Sequence, residues 1–238
     1  MLVILAPGQG SQTPGMLTPW IADPSQAELL RHWSEVIDLD LTHLGTNADA
    51  DEIRDTENAQ PLIVAAGLLS AGALDLTGKF SCVAGHSVGE ITAAAFAGVI
   101  TPVDALRLVR VRGLEMAKAA AASPSGMSAV LGGDRDVVLA AIAEAGLIAA
   151  NDNGGGQIVA AGDLDALASL APEGARVRAL QVAGAFHTHF MSPAVEAFSD
   201  FASTITTSDP AVGVLSNRDG QVLNSGSEIL SRIVSQVA

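Results

Sequence analysis

The chain has 238 residues, enough for one substantial hydrophobic core or for one domain carrying a smaller insert. Hydrophobic residues make up 49% and charged residues only 16%, which excludes a disordered chain. A formal net charge of -14 excludes a general nucleic-acid binder, since that function needs a basic footprint.

Taken in order, the chain opens on Met1-Leu2-Val3-Ile4-Leu5-Ala6-Pro7, with no basic region and too short an apolar run for a signal peptide. Residues 2–6 read as a short buried strand entering the loop Gly8-Gln9-Gly10-Ser11-Gln12. Helices are predicted over 24–38 and 61–76. The longest apolar run, 61–74, is shorter than a membrane span and is interrupted by Ser70, so a buried helix is expected there. A strand ending at Gly85 and a helix beginning near Ile91 follow. Thr101-Pro102-Val103-Asp104 then signals a helix start, with Thr as cap, Pro first and Asp third, and the helix is expected to run to about residue 121.

From Met127 the rhythm changes. Strands are predicted over 127–131, 147–150, 157–161 and 176–182, with helices over 134–145 and 164–170. That order is βαββαβ, the split unit of a ferredoxin-like subdomain. A helix near 194–205 and a strand over 212–215 return the chain to the first part. Residues 227–238 place Ile229, Leu230, Ile233, Val234 and Val237 on one helical face with no closing cap, as expected of a chain shortened at its C-terminus, the plain alternative being fraying at a natural end. The expected fold is α/β: a large hydrolase-like domain (1–124 and 188–238) with a mainly parallel sheet and helices on both faces, and an inserted ferredoxin-like subdomain (125–187).

The most informative stretch is Gly85-His86-Ser87-Val88-Gly89-Glu90. A serine between a strand and a helix, with glycines two residues before and after, has the pattern of a nucleophile on a strained turn. The free N–H groups of the new helix point at whatever anion forms on the serine's acyl group. An incidental serine on a strand-helix turn is the plain alternative. Cys82, in the preceding strand, is a weaker nucleophile because burial makes a thiol inert. As a single cysteine it cannot form an internal disulfide, which suits a reducing cytoplasm. No Cys/His spacing suggests a metal.

A serine hydroxyl needs a base, and five histidines are available. His32 and His43 read as surface residues, and His86 points away if Ser87 occupies the turn. His187 and His189 follow the last strand of the small subdomain, and either is a candidate base or an ordinary hydrogen-bonded histidine. Arg112 falls on the face formed by Ala105, Leu108, Val109 and Met116. A guanidinium on an apolar stripe needs an anion, either a protein carboxylate or a substrate carboxylate. Arg107, Arg110 and Lys118 are expected to face solvent. The Gly8–Gln12 loop lacks the third glycine of a dinucleotide motif, Thr13 standing there, and no Gly-Lys-Ser/Thr follows. It reads instead as a tight loop offering a backbone N–H to an oxyanion hole with Val88 N–H.

Together these motifs resemble those of the malonyl-CoA:acyl carrier protein transacylase family. Gly-Gln-Gly-Ser-Gln stands at 8–12, Gly-His-Ser-x-Gly-Glu at 85–90, Arg112-Gly113 on the next helix, and Phe186-His187 after the small subdomain. Asn58-Ala-Gln60-Pro61 and Asn151-Asp-Asn153 also fit family positions lining the cleft. The resemblance implies that Ser87 is acylated, that His187 is its base, and that the residue at Gln236 orients the histidine through its main-chain carbonyl. It implies Arg112 as ligand of the malonyl carboxylate, Gln9 and Val88 N–H as the oxyanion hole, and Gln60, Asn153 and Phe186 at the substrate. Phe186 is implied to disfavour a methyl branch on the malonyl carbon. No bound cofactor or metal is implied; malonyl-CoA is the substrate and acyl carrier protein the partner, in the cytoplasm, without nucleic acid or membrane. The alternatives are a serine esterase or thioesterase of α/β-hydrolase type, a non-catalytic carrier-protein-binding paralogue, and an acyltransferase domain excised from a polyketide synthase. Lys79, Arg176, Arg178 and exposed members of the 107–118 helix are the candidate basic patch for an acidic carrier protein.

Overall fold

The computed structural model describes residues 2–74 and 79–238, so the predicted helix end at 75–76 lies outside the described residues. β1 (Val3–Ala6) leads through the glycine-containing loop to α1 (Pro24–Ile37). Asp23 caps α1 by accepting the Ser25 N–H at 2.8 Å, with Pro24 at the first position where no donor is missed. α2 (Leu41–Thr46) is a short helix that periodicity does not reveal, and α3 (Thr56–Ala73) follows. β2 (Cys82–Gly85) and α4 (Gly89–Phe96) flank Ser87, with Cys82 half-buried where full burial was expected. α5 (Pro102–Ala122) starts at the predicted cap: the Asp104 N–H meets Thr101 Oγ1 at 3.1 Å, and that hydroxyl reaches Asp104 Oδ2 at 2.7 Å.

The chain continues with β3 (Gly126–Gly132), α6 (Arg135–Glu144), β4 (Ile148–Asp152), β5 (Gln157–Gly162), α7 (Leu164–Ser169) and β6 (Ala175–Ala179). It closes with α8 (Ser192–Ala202), β7 (Gly213–Leu215), β8 (Val222–Leu223) and α9 (Gly226–Ser235). Two compact units result: Met1–Leu114 with Ala197–Gln236, and Glu115–Glu196 with Val237–Ala238.

In the first unit the sheet runs β1-β2-β7-β8. β2 lies parallel to both β1 and β7, while β8 pairs antiparallel to β7 as a two-residue strand too short to read from sequence. The sheet is therefore mixed but mainly parallel.

α3 departs from expectation. It begins five residues before Pro61 and carries that proline inside the helix. A proline offers no N–H to the carbonyl four residues back, here that of Glu57. Arg110 on α5 supplies the missing donor, Nη1 meeting Glu57 O at 3.1 Å. Arg110, expected at the solvent face, is consequently half-buried, whereas Arg107 and Lys118 are exposed. Gly113 permits the approach, since a Cβ there would lie 3.1 Å from Thr56 O and 3.2 Å from Glu57 Cα.

In the second unit the sheet order is β4-β5-β3-β6, antiparallel throughout. Its core gathers Val130, Ile158 and Ala160 from the strands with Val138, Ile142 and Leu167 from the helices. No helix among the described residues is long and apolar enough to cross a membrane.

Candidate active site

Three non-glycine residues among those described have positive φ: Asp38, Ser87 and His187. Asp38 is accounted for as the left-handed C-cap of α1. Ser87 (φ 51) and His187 (φ 60) are not helix ends, and such backbones persist only where surrounding contacts enforce them.

At Ser87 those contacts are explicit. Parallel pairing with β1 ends at Ala6↔Gly85, and the His86 N–H continues the ladder to Ala6 O at 2.9 Å. α4 then starts at once, with Gly89 N–H on His86 O and Glu90 N–H on Ser87 O, both at 2.9 Å. A Cβ at position 85 would sit 2.0 Å from the Gly89 carbonyl carbon, and one at 89 would sit 2.4 Å from Ala6 O. Only glycine fits at either flank, which is the physical content of the Gly-x-Ser-x-Gly spacing. The His86 side chain is directed to the Gly8 loop, its Nδ1 lying 2.5 Å from where a Cβ at position 8 would stand.

Around Ser87 Oγ the first unit builds a connected polar chain. Arg112 Nη2 donates to Ser87 Oγ at 3.3 Å, and Nη1 donates to Gln60 Oε1 at 2.7 Å. Gln60 Nε2 in turn reaches Gln9 Oε1 at 3.4 Å, and Gln9 Nε2 reaches Thr56 Oγ1 at 3.4 Å. Arg112 is only 1% exposed and Gln60 also 1%, so the guanidinium has little water to solvate it. Both bonded partners are neutral, and Arg112 Nε is buried with no partner among the described residues. Burial pulls the Arg112 pKa down to about 10, with the charge of Glu90 working in the opposite direction. It remains a cation at neutral pH.

Beneath the turn lies a second group that the motif reading did not single out. Asn217, just after β7, accepts the Ser87 N–H on Oδ1 at 2.6 Å and donates Nδ2–H to Gly85 O. Its own N–H goes to Glu90 Oε1 at 2.6 Å. Gln236 donates to Glu90 Oε2 and to Ser87 O, the latter at 3.3 Å. Burial pushes the Glu90 carboxyl up to about 7, against the opposing pull of the Asn217 N–H, Arg112 and Arg232. Asn217 was missed because Ser216-Asn217-Arg218-Asp219-Gly220 reads as an ordinary turn. The available signal was topological: it follows a strand parallel to β2, at the carboxyl ends where α/β sheets carry their sites.

Ser87, Val88, Arg112, Gln60, Gln9 and Gln236 thus all fall in the first unit. His187, Phe186 and Asn153 belong to the second. There His187 occupies a tight, braced turn. The Phe186 N–H meets Gly184 O at 3.0 Å, Ala185 N–H meets Ser125 Oγ at 3.1 Å, and Thr188 Oγ1 donates to Ala185 O at 2.6 Å. Phe186 is buried. Neighbouring His189 stacks on Phe190 with ring centroids 4.5 Å apart. Asn153 sits in the β4–β5 turn, its side chain donating to Gln157 Oε1 at 2.9 Å.

The family model for the acyl transferase domain matches residues 3–229. The malonyl CoA-acyl carrier protein transacylase of Mycobacterium bovis is 54% identical over 244 residues, covering 100% of this chain and 81% of that protein. The crystal structure of MCAT from Mycobacterium tuberculosis matches with a TM-score of 0.96 at 55% identity, over 99% of this chain and 80% of that one. A structure of a type II PKS acyl-carrier protein in complex with its malonyl-transacylase matches with a TM-score of 0.86 at 29% identity, over 99% of this chain and 80% of that chain.

Proposed function

The chain belongs to the malonyl CoA-acyl carrier protein transacylases of the acyl transferase domain family, and from that premise we propose which of its residues carry the reaction. It is an acyl-carrier-protein S-malonyltransferase of fatty acid synthesis, moving malonyl from malonyl-CoA to the carrier protein.

Ser87 is the nucleophile. Its Oγ attacks the malonyl thioester carbonyl, its proton passes to a base, and the C–S bond breaks to leave CoA, which takes up that proton. The carrier protein's pantetheine thiol then gives its proton to the base and attacks the malonyl-serine ester, and Ser87 takes up that proton as the ester bond breaks. His187 is assigned as the base from its place in the Phe186-His187 motif, supported by a positive-φ backbone braced by Gly184, Ser125 and Thr188. Gln236 is assigned to orient it through the main-chain carbonyl. The N–H groups of Val88, at the start of α4, and of Gln9 are assigned to the oxyanion.

The observation that carries the substrate assignment is that buried Arg112 bonds no carboxylate among the described residues. A guanidinium that among the described residues bonds an amide oxygen and a hydroxyl, with Nε unbonded and Glu90 acting on it through space, is costly to bury unless an anion meets it directly. The malonyl carboxylate is that anion, and Gln60 fixes the rotamer that receives it. Phe186 is assigned to a preference for malonyl over branched units, worth ~1–3 kcal/mol for one methyl. Asn153 is assigned to the substrate by the same resemblance.

The order β4-β5-β3-β6 supports reading the second unit as ferredoxin-like, and the β1-β2-β7 parallel strands support a hydrolase-like large domain with helices on both faces. We place the domain limits at 1–124 with 188–238, and 125–187. The proposed location is the cytoplasm. Transfer of labelled malonyl from malonyl-CoA to the carrier protein tests the assignment: the parent should transfer and Ser87→Ala should not. Release of free malonate without transfer would identify a hydrolase instead.

A further inference from the structure

Ser87 sits in a left-handed backbone that a non-glycine residue does not hold unaided. Glycines at 85 and 89 permit the turn, but permission is not restraint. The restraint comes from outside the motif.

Asn217 contacts the turn at two points with one rigid amide. Oδ1 takes the Ser87 N–H at 2.6 Å, and Nδ2 donates to the carbonyl of Gly85, the last residue of β2. One planar group therefore fixes the peptides on both sides of His86, and with them the direction of the Ser87 Cα–Cβ bond. Asn217 is itself held. Its N–H is bound by Glu90 Oε1 at 2.6 Å, and its loop is tied to α9 by the Asp219 carboxylate, both oxygens on Arg232 Nη1 at 2.9 and 2.8 Å. The turn closes on itself through Gly220 N–H to Ser216 O at 2.9 Å and Arg218 N–H to Ser216 Oγ at 3.2 Å. From the other side Glu90 and Ser87 O share Gln236 Nε2, so α4, the β7–β8 loop and α9 converge on one peptide.

We propose that Asn217 is a positioning residue for Ser87, its amide clamping the Gly85 carbonyl and the Ser87 N–H so that Oγ stays aimed at the acyl carbon. This rests on the reading of Ser87 as nucleophile. Asn217 bonds neither Arg112 nor Gln60, so its loss should slow the chemical step and leave malonyl-CoA binding nearly unchanged.

The test is single-turnover acylation of the full chain by malonyl-CoA, followed by intact mass over a range of substrate concentrations. Asn217→Leu keeps the γ-branched heavy-atom shape and removes both hydrogen bonds. The expected result is a limiting rate constant lower by about tenfold or more, with half-saturation within about threefold of the parent and full final adduct. Should Asn217→Leu not fold, Asn217→Asp, which keeps the oxygen facing Ser87 N–H but sets a second oxygen against Gly85 O, should lower the limiting rate by about threefold or more on the same readout. A limiting rate within twofold of the parent in a folded variant, or a shift confined to half-saturation, overturns the proposal. A parent that forms no adduct overturns the nucleophile assignment instead.

Discussion

Arg112 and Ser87, 25 residues apart and on different elements, meet through Nη2 and Oγ at 3.3 Å. The cation thus stands beside the atom that we propose receives the acyl group. A carboxylate held by Arg112 must fold back to within one side chain of the new ester, which favours a short diacid over a long one. The same closeness lets binding energy at the carboxylate orient the carbonyl for attack.

Glu90 makes stability depend on pH in an unusual direction. Burial raises its carboxyl from 4.5 to about 7, so the folded chain holds the proton more tightly than the unfolded chain. Its contribution is full below pH 4.5 and is lost as pH rises through about 7, amounting to a few kcal/mol, order of magnitude. Urea unfolding across this range should show Glu90→Gln losing less stability with rising pH than the parent. Parallel curves for the two proteins would contradict the assignment.

Arg110 and Pro61 should be thermodynamically coupled. Arg110→Ala leaves Glu57 O without its donor and should cost about 1–3 kcal/mol. Adding Pro61→Ala restores an N–H able to reach that carbonyl, so the double variant should recover part of the loss. A double-mutant cycle from denaturant unfolding reads the coupling directly; strict additivity would rule it out.

The exposed Arg176 and Arg178 stand two residues apart on β6, an edge strand, and so on one face of it. On a chain of net charge -14 we propose them as the landing point for an acidic carrier protein. Reversing both to Glu should raise the carrier protein KM roughly three- to tenfold while leaving the malonyl-CoA KM unchanged. An unchanged carrier KM would move the docking surface elsewhere.

What was legible in the sequence follows from how local its cause is. The Ser87 turn could be read because the glycine at 85 is enforced by Gly89 and Glu90 only four and five residues on, although the one at 89 is enforced by Ala6 at the end of β1. The α5 cap and the buried face of Arg112 were equally readable, from Thr101 and Asp104 and from helical spacing. The early start of α3 was not, because the group that satisfies Glu57 O lies 53 residues away on α5. Asn217 was hidden for the same reason: its bond to the Ser87 N–H spans 130 positions, and nothing in its own neighbourhood sets it apart from a turn asparagine. β8, at two residues, carries no pattern at all.

We propose that Ser87 is acylated with a malonyl group whose carboxylate Arg112 holds. Intact mass after incubation with malonyl-CoA or acetyl-CoA, for the parent and for Arg112→Ala, tests both parts at once. A malonyl adduct is expected in the parent and absent from Ser87→Ala, and Arg112→Ala should lose malonyl in favour of acetyl. Equal malonylation of the parent and Arg112→Ala, or an adduct that survives Ser87→Ala, would contradict it.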